Sequence, residues 1–103
     1  MSHRVTLLWF NDCPGHESAR EMVADVVARV APNATIEDIN ASDTGVAVAL
    51  RFPGSPTIRV DDVDIEPGFT DPGDYTPRCR LYRTATGLAG LPDPRWLEEA
   101  LRA

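Results

Sequence analysis

The sequence predicts an α/β domain with the element order β-α-β-α-β-β-α. A central mixed four-stranded sheet is flanked by helices, and an insertion precedes the last helix. Three observations carry this expectation. Residues 4–10, Arg-Val-Thr-Leu-Leu-Trp-Phe, form a short apolar run rich in β-branched and aromatic residues that Asn11-Asp12 breaks, as a buried strand would. After Pro14, the apolar residues Ala19, Met22, Val23, Val26, Val27 and Val30 recur at spacings of three and four, which is one face of a helix. A second strand then follows, so strand, helix and strand make a unit whose two strands run parallel.

The elements follow in order. The first strand spans about 4–10 and the first helix 14–30, where Pro32-Asn33 stops it. Residues 34–40 are a second strand anchored by Ile36 and Ile39. Ser42 or Asp43 caps a short helix over about 44–52, with Val46, Ala49 and Leu50 as its inner face and Gly45 weakening it. Pro53-Gly54-Ser55-Pro56 is a stop and a tight turn. Residues 57–60 and 63–65 are two strands of a hairpin that turns at Asp61-Asp62. The stretch 67–77 is irregular, and 78–83 is a candidate extra strand. Gly87, Gly90 and Pro92 mark another loop. Asp93 caps the final helix, with Pro94 at its first position and Trp96, Leu97, Ala100 and Leu101 as its buried stripe.

The totals fit one domain over residues 1–103 with an ordinary globular balance, 43% hydrophobic and 25% charged. The formal net charge is −6, and all 10 basic residues are arginine. An acidic chain without a basic run is a poor match for nucleic acid or anionic lipid. Residues 1–4 lead straight into the first strand, so neither a signal peptide nor a membrane span is expected, and the expected location is cytoplasmic. In that compartment two cysteines read as free thiols or a redox pair rather than a staple.

Cys13 is the sharpest chemical candidate. It stands before Pro14 at the expected helix N-cap, facing unpaired N–H groups and the positive end of the helix dipole. Both favour the thiolate, the form that attacks and binds soft ions. The competing reading is a small buried hydrophobe at a strand end. His16 stands ready to stabilise a thiolate or shuttle a proton, or is a solvated first-turn residue. Cys79, 66 positions on, is the other thiol. It either resolves an oxidised Cys13 or packs as a strand residue. In an extended 78–83, Arg78 and Arg80 point away from the Cys79 face. Asp61, Asp62, Asp64 and Glu66 read as a solvated hairpin, since they lack the glycine and distal glutamate of a calcium loop. Asp71 and Asp74 read as turn formers. No paired Cys/His spacing supports zinc, so no metal and no cofactor are expected. Cys13, Cys79 and His16 together nonetheless have the softness to take a thiophilic ion such as mercury.

Cys13-Pro14-Gly15-His16 after the first strand, and Ser55-Pro56-Thr57 at the start of the third, resemble the two signature sites of the thioredoxin superfamily. There a Cys-x-x-Cys stands at the first site and a cis-proline at the second. Over nearly the full length, the chain also resembles a small group of thioredoxin-like proteins, the DF-family (seleno)proteins, some labelled alkylmercury lyase-like. The aromatic-x-x-Cys-Pro ending of the first strand carries that likeness. So do Gly54-Ser-Pro-Thr57, Cys79-Arg-Leu-Tyr-Arg-Thr84 and Gly87-Leu-Ala-Gly90. The resemblance implies thiol redox chemistry, of the thiol-disulfide oxidoreductase or the peroxide-reducing type, with Cys13 as nucleophile and a protein or small-molecule thiol or disulfide as partner. It also implies that Pro14, Ser55, Pro56 and Thr57 shape the substrate site. The chain departs from the dithiol motif, because His16 replaces the second cysteine. The alternatives are a module that binds mercury or another thiophilic ligand, and a structural domain with an inert Cys13.

Overall fold

The computed structural model describes residues 2–103. Strand β1 (Arg4–Trp9) is followed by helix α1 (His16–Val30), strand β2 (Thr35–Asn40) and helix α2 (Thr44–Ala49). Strands β3 (Thr57–Val60) and β4 (Val63–Asp64) come next, then β5 (Tyr82–Thr84), β6 (Gly87–Ala89) and helix α3 (Pro94–Arg102). The main sheet is mixed and four-stranded, in the order β2-β1-β3-β4. β1 runs parallel to β2 and antiparallel to β3, and β3 and β4 form the hairpin. Asp61 and Asp62 make its turn with φ of 51° and 69°, the pair of positive angles that a tight two-residue hairpin requires.

Period-two alternation divides β1 between two cores. Val5 and Leu7 face α1 and α3, where Val23, Val26, Ile58, Leu97 and others close the main cluster. Leu8 faces the other way and joins Ala41, Ala47 and Phe52 beneath α2. The register supports this, since Val5 pairs with Val60 and Leu7 with Ile58 on one face. Helices therefore cover both faces of the sheet. Asp93 caps α3 by accepting from the Arg95 N–H, with Pro94 at the first turn, and Leu97 and Leu101 are buried. Among the described residues no helix is long and apolar enough to cross a membrane.

Four expectations need correction. Helix α1 begins at His16, not Pro14, and its N-cap is Gly15 with no side-chain cap. The Cys13 N–H donates to the Phe10 carbonyl at 3.0 Å, so the chain turns once more before the helix starts. In α2, Ala47 is the buried residue and Val46 and Ala49 are exposed, while Leu50 packs against the same cluster as expected, because the inward stripe of this short helix runs through 47 and 50. Ile36 is exposed, since β2 is an edge strand that little covers. The extra strand lies at 82–84 rather than 78–83, and the stretch expected as a loop at Gly87 supplies its partner β6.

Candidate functional site

Cys13 and Cys79 are both free thiols, and both line one cleft of about 540 Å³. Cys13 is buried at the floor, and Cys79 is exposed. Pro14 and Gly15 line it on the α1 side, and Ser55 lines it beside Cys79. Leu81 and Leu91 complete the apolar wall. A concavity of about 590 Å³ lies elsewhere, between His3, Asp61, Trp96 and Glu99. It is lined by His3, Asp61, Asp64 and Glu99 but by no thiol or hydroxyl, and His3 and Asp61 are already bonded to each other, so size alone does not make it the reactive site.

The Cys13 side is set by the end of β1 and the turn into α1. His16, the first helical residue, donates from Nδ1 to the Cys13 carbonyl at 2.9 Å. Its Nε2 lies 3.2 Å from Glu17, and its ring stacks on Trp9 with centroids 4.4 Å apart. Arg20 covers the same indole and donates to Asp38 at 2.6 Å, and Trp9 Nε1 donates to Asp38 as well. The Arg20 hydrogen bond, with help from Trp9, holds the Asp38 carboxyl below its usual range. His16 is thus placed behind the Cys13 loop, holding its backbone, and is not a lining residue of the cleft. The Trp9, Arg20 and Asp38 surroundings of His16 are not visible in the Cys13–His16 motif itself. The i,i+4 spacing of His16 and Arg20 on α1 was the available signal.

The Cys79 side is fastened by polar groups. Ser55 and Cys79 form a parallel bridge. The Ser55 N–H donates to the Arg78 carbonyl at 2.8 Å, and the Arg80 N–H donates to the Ser55 carbonyl at 2.9 Å. Gly54 permits this approach. Its φ is +136°, and a Cβ there would lie 2.8 Å from the Cβ of Arg80. Ser55 Oγ accepts from the Phe10 N–H at 3.3 Å, which ties this side to the end of β1. The Ser55–Pro56 peptide bond is cis.

Arg80 is buried. Its guanidinium donates to Asp64 through both terminal nitrogens, at 2.7 and 3.1 Å, and also reaches Glu66 and the Thr57 hydroxyl. It packs over the rings of Tyr82 and Phe69. Burial opposes its charge, but the Asp64 and Glu66 carboxylates more than offset this, so Arg80 is raised above its usual range. Burial pushes the Tyr82 phenol up, and its hydroxyl donates to the Pro56 carbonyl. Asp64 and Glu66 were expected to be solvated. They are instead partners of a buried arginine, which lies 16 and 14 positions away in sequence.

The structure therefore brings Cys13, Pro14, Ser55 and Cys79 to one cleft. Pro56 and Thr57 are buried behind it, and Thr57 Oγ1 donates to the Gly54 carbonyl at 2.6 Å. They shape the wall from within. Among the described residues no group of three His, Cys, Asp or Glu side chains is placed to hold a metal ion, so Cys13, Cys79 and His16 do not form one. Asp71 and Asp74 form turns, accepting from the N–H groups of Gly73 and Thr76.

Fold and site together define a mixed-sheet α/β domain with two thiols in an apolar cleft. No family model matches the chain, and neither a curated protein nor a solved structure matches it.

Proposed function

We propose that this chain is a thioredoxin-like, thiol-dependent redox domain of the cytoplasm, in which Cys13 is the nucleophile and Cys79 the resolving thiol. The observation that carries the reading is that both free cysteines line one cleft, whose wall Ser55 shares with Cys79. The strand order and the place of Cys13 between β1 and α1 support the fold assignment. His16 acts as a positioning residue through the Cys13 carbonyl.

The chemistry runs in two exchanges. The Cys13 thiolate attacks one sulfur of a disulfide R–S–S–R, forming Cys13–S–S–R and expelling RS⁻ with the bonding pair. The Cys79 thiolate then attacks the Cys13 sulfur, forming Cys13–S–S–Cys79 and expelling the second RS⁻. The two departing thiolates take up the two protons that the cysteines gave up. One disulfide is reduced to two thiols, and the protein loses two electrons. A thiol reductant then restores the reduced pair.

The test uses reduced protein and one equivalent of a small disulfide, followed by non-reducing peptide mass mapping. Wild type is expected to yield a Cys13–Cys79 peptide, and Cys79→Ser to trap the mixed disulfide on Cys13. Finding neither species defeats the redox reading. Tight uptake of mercuric ion by the same protein would then favour the thiophilic-binding alternative.

A further inference from the structure

The redox reading leaves the substrate class open, and three observations narrow it. The first concerns backbone groups. A polypeptide that binds by adding a strand needs free N–H and C=O groups to pair with. Ser55 is the residue of the cleft wall bonded to the Phe10 N–H just before the Cys13 loop, and neither of its backbone groups is free. The N–H is given to Arg78 and the carbonyl accepts from Arg80. The chain's own 78–80 segment has taken the strand place beside Ser55, with Cys79 at its centre.

The second observation concerns charge. Besides the two thiols, Arg80 is the one ionisable side chain among the described residues that line the cleft. Its terminal nitrogens are already engaged by Asp64, Glu66 and Thr57. No side-chain cation is left over to receive a substrate carboxylate, and the net charge of −6 repels one at long range, against which the uncapped start of α1 sets only a partial positive charge. The third concerns the remaining wall. Pro14, Leu81, Ala89 and Leu91 are apolar, Gly15 and Gly90 add no side chain, and Ser18 adds one neutral hydroxyl; Leu81 is 66% exposed. A cleft of about 540 Å³ falls within the span of sites that enclose small molecules.

We infer that the substrate is a small, uncharged, largely apolar disulfide, and that the cleft discriminates against both extended polypeptides and carboxylate-bearing disulfides. The inference rests on the redox reading above, and it fixes the R groups of R–S–S–R in the two exchanges already written. Apolar R groups lie along Leu81 and Leu91 while the scissile sulfurs meet Cys13.

The experiment measures single-turnover release of the leaving thiol from reduced protein with three probes. These are neutral 2,2′-dithiodipyridine, dianionic 5,5′-dithiobis(2-nitrobenzoate), and a short neutral linear peptide activated as a mixed disulfide with thiopyridine. Each rate is divided by that of N-acetylcysteinamide with the same probe, which removes intrinsic reactivity. The expected result is a normalised preference of about tenfold or more for the neutral small probe over each of the others, the scale at which an apolar pocket discriminates. Leu81→Glu, at an exposed position, is expected to erase much of that preference, and Leu81→Met to retain it. A dianionic or peptide probe that reacts as fast as the neutral one overturns the substrate assignment and leaves the redox reading standing. No acceleration over the free thiol with any probe overturns both.

Discussion

The two walls of the cleft are built from opposite materials. Cys13 stands on β1 and α1, whose inner faces are a dry cluster of Val5, Leu7, Ala19, Val23 and their neighbours. Cys79 stands on a segment with no such backing. It is held by the Ser55 backbone pair, by Arg80 bonded to Asp64 and Glu66, and by the Tyr82 hydroxyl on Pro56. Apolar packing is non-directional and tolerates rearrangement if volume is kept. A buried ion pair is directional, but leaves an expensive remainder if one partner goes. The elements that carry Cys13 are therefore placed by close packing, with hydrogen bonds to Phe10 and His16 fixing only the loop itself, whereas the Cys79 segment is placed chiefly by polar bonds with defined geometry.

The sharpest way to expose that contrast is to delete one side of each material. Asp64→Ala is expected to lower unfolding free energy by about 3–5 kcal/mol, because the buried Arg80 loses its bidentate partner. The double change Asp64→Leu with Arg80→Met should recover most of it. Leu97→Ala, in the dry core, is expected to lose about 2–5 kcal/mol with no comparable rescue. Urea titrations of the four proteins check this, and a double variant no more stable than Asp64→Ala would refute the directional account.

Gly54→Ala comes next. Its positive φ and the 2.8 Å approach to Arg80 Cβ predict a loss of about 1–3 kcal/mol, read as a lower Tm. The same variant should form the Cys13–Cys79 disulfide more slowly, because the Cys79 segment must move away from Ser55. An unchanged rate would mean that the bridge does not set the approach of the two thiols.

The smallest effect is on the acid limb of stability. Asp38 has its folded carboxyl held down, first by the Arg20 hydrogen bond. A depressed carboxyl stabilises the fold above its unfolded pKa of about 3.9, and that contribution fades as pH falls through the folded value. The pair is partly exposed, so about 1 kcal/mol or less is expected. Asp38→Asn should remove this part of the slope below about pH 5, as measured by denaturant midpoints against pH. A steeper acid limb in the variant would contradict the assignment.

The legible part of the molecule is the part governed by periodicity. The apolar run of β1, the spacing along α1, and Asp93-Pro94 before α3 each encode an element locally, and the four-stranded mixed sheet follows from their order. What stayed hidden is non-local. Nothing near Arg80 in sequence says that it is buried, because its carboxylates arrive from the β4 region. The start of α1 was misplaced because a turn closed by the Phe10 carbonyl looks, in sequence, like a capped helix. In the site, residue types were readable while directions were not. Cys13, Pro14, Ser55 and Cys79 reach the cleft, but the His16 ring is spent on Trp9 and a backbone carbonyl.

Both outer borders of the main sheet are unsuited to recruiting a neighbour. β4 offers only two residues, too short a template for a foreign strand. β2 offers six, but Glu37 and Asp38 stand in the middle of them, already paired with Arg4 and Arg20, so a strand laid alongside would have to accommodate that charged border. A two-residue border on one side and a charged one on the other leave the apolar inner strands, β1 and β3, with no open edge of their own.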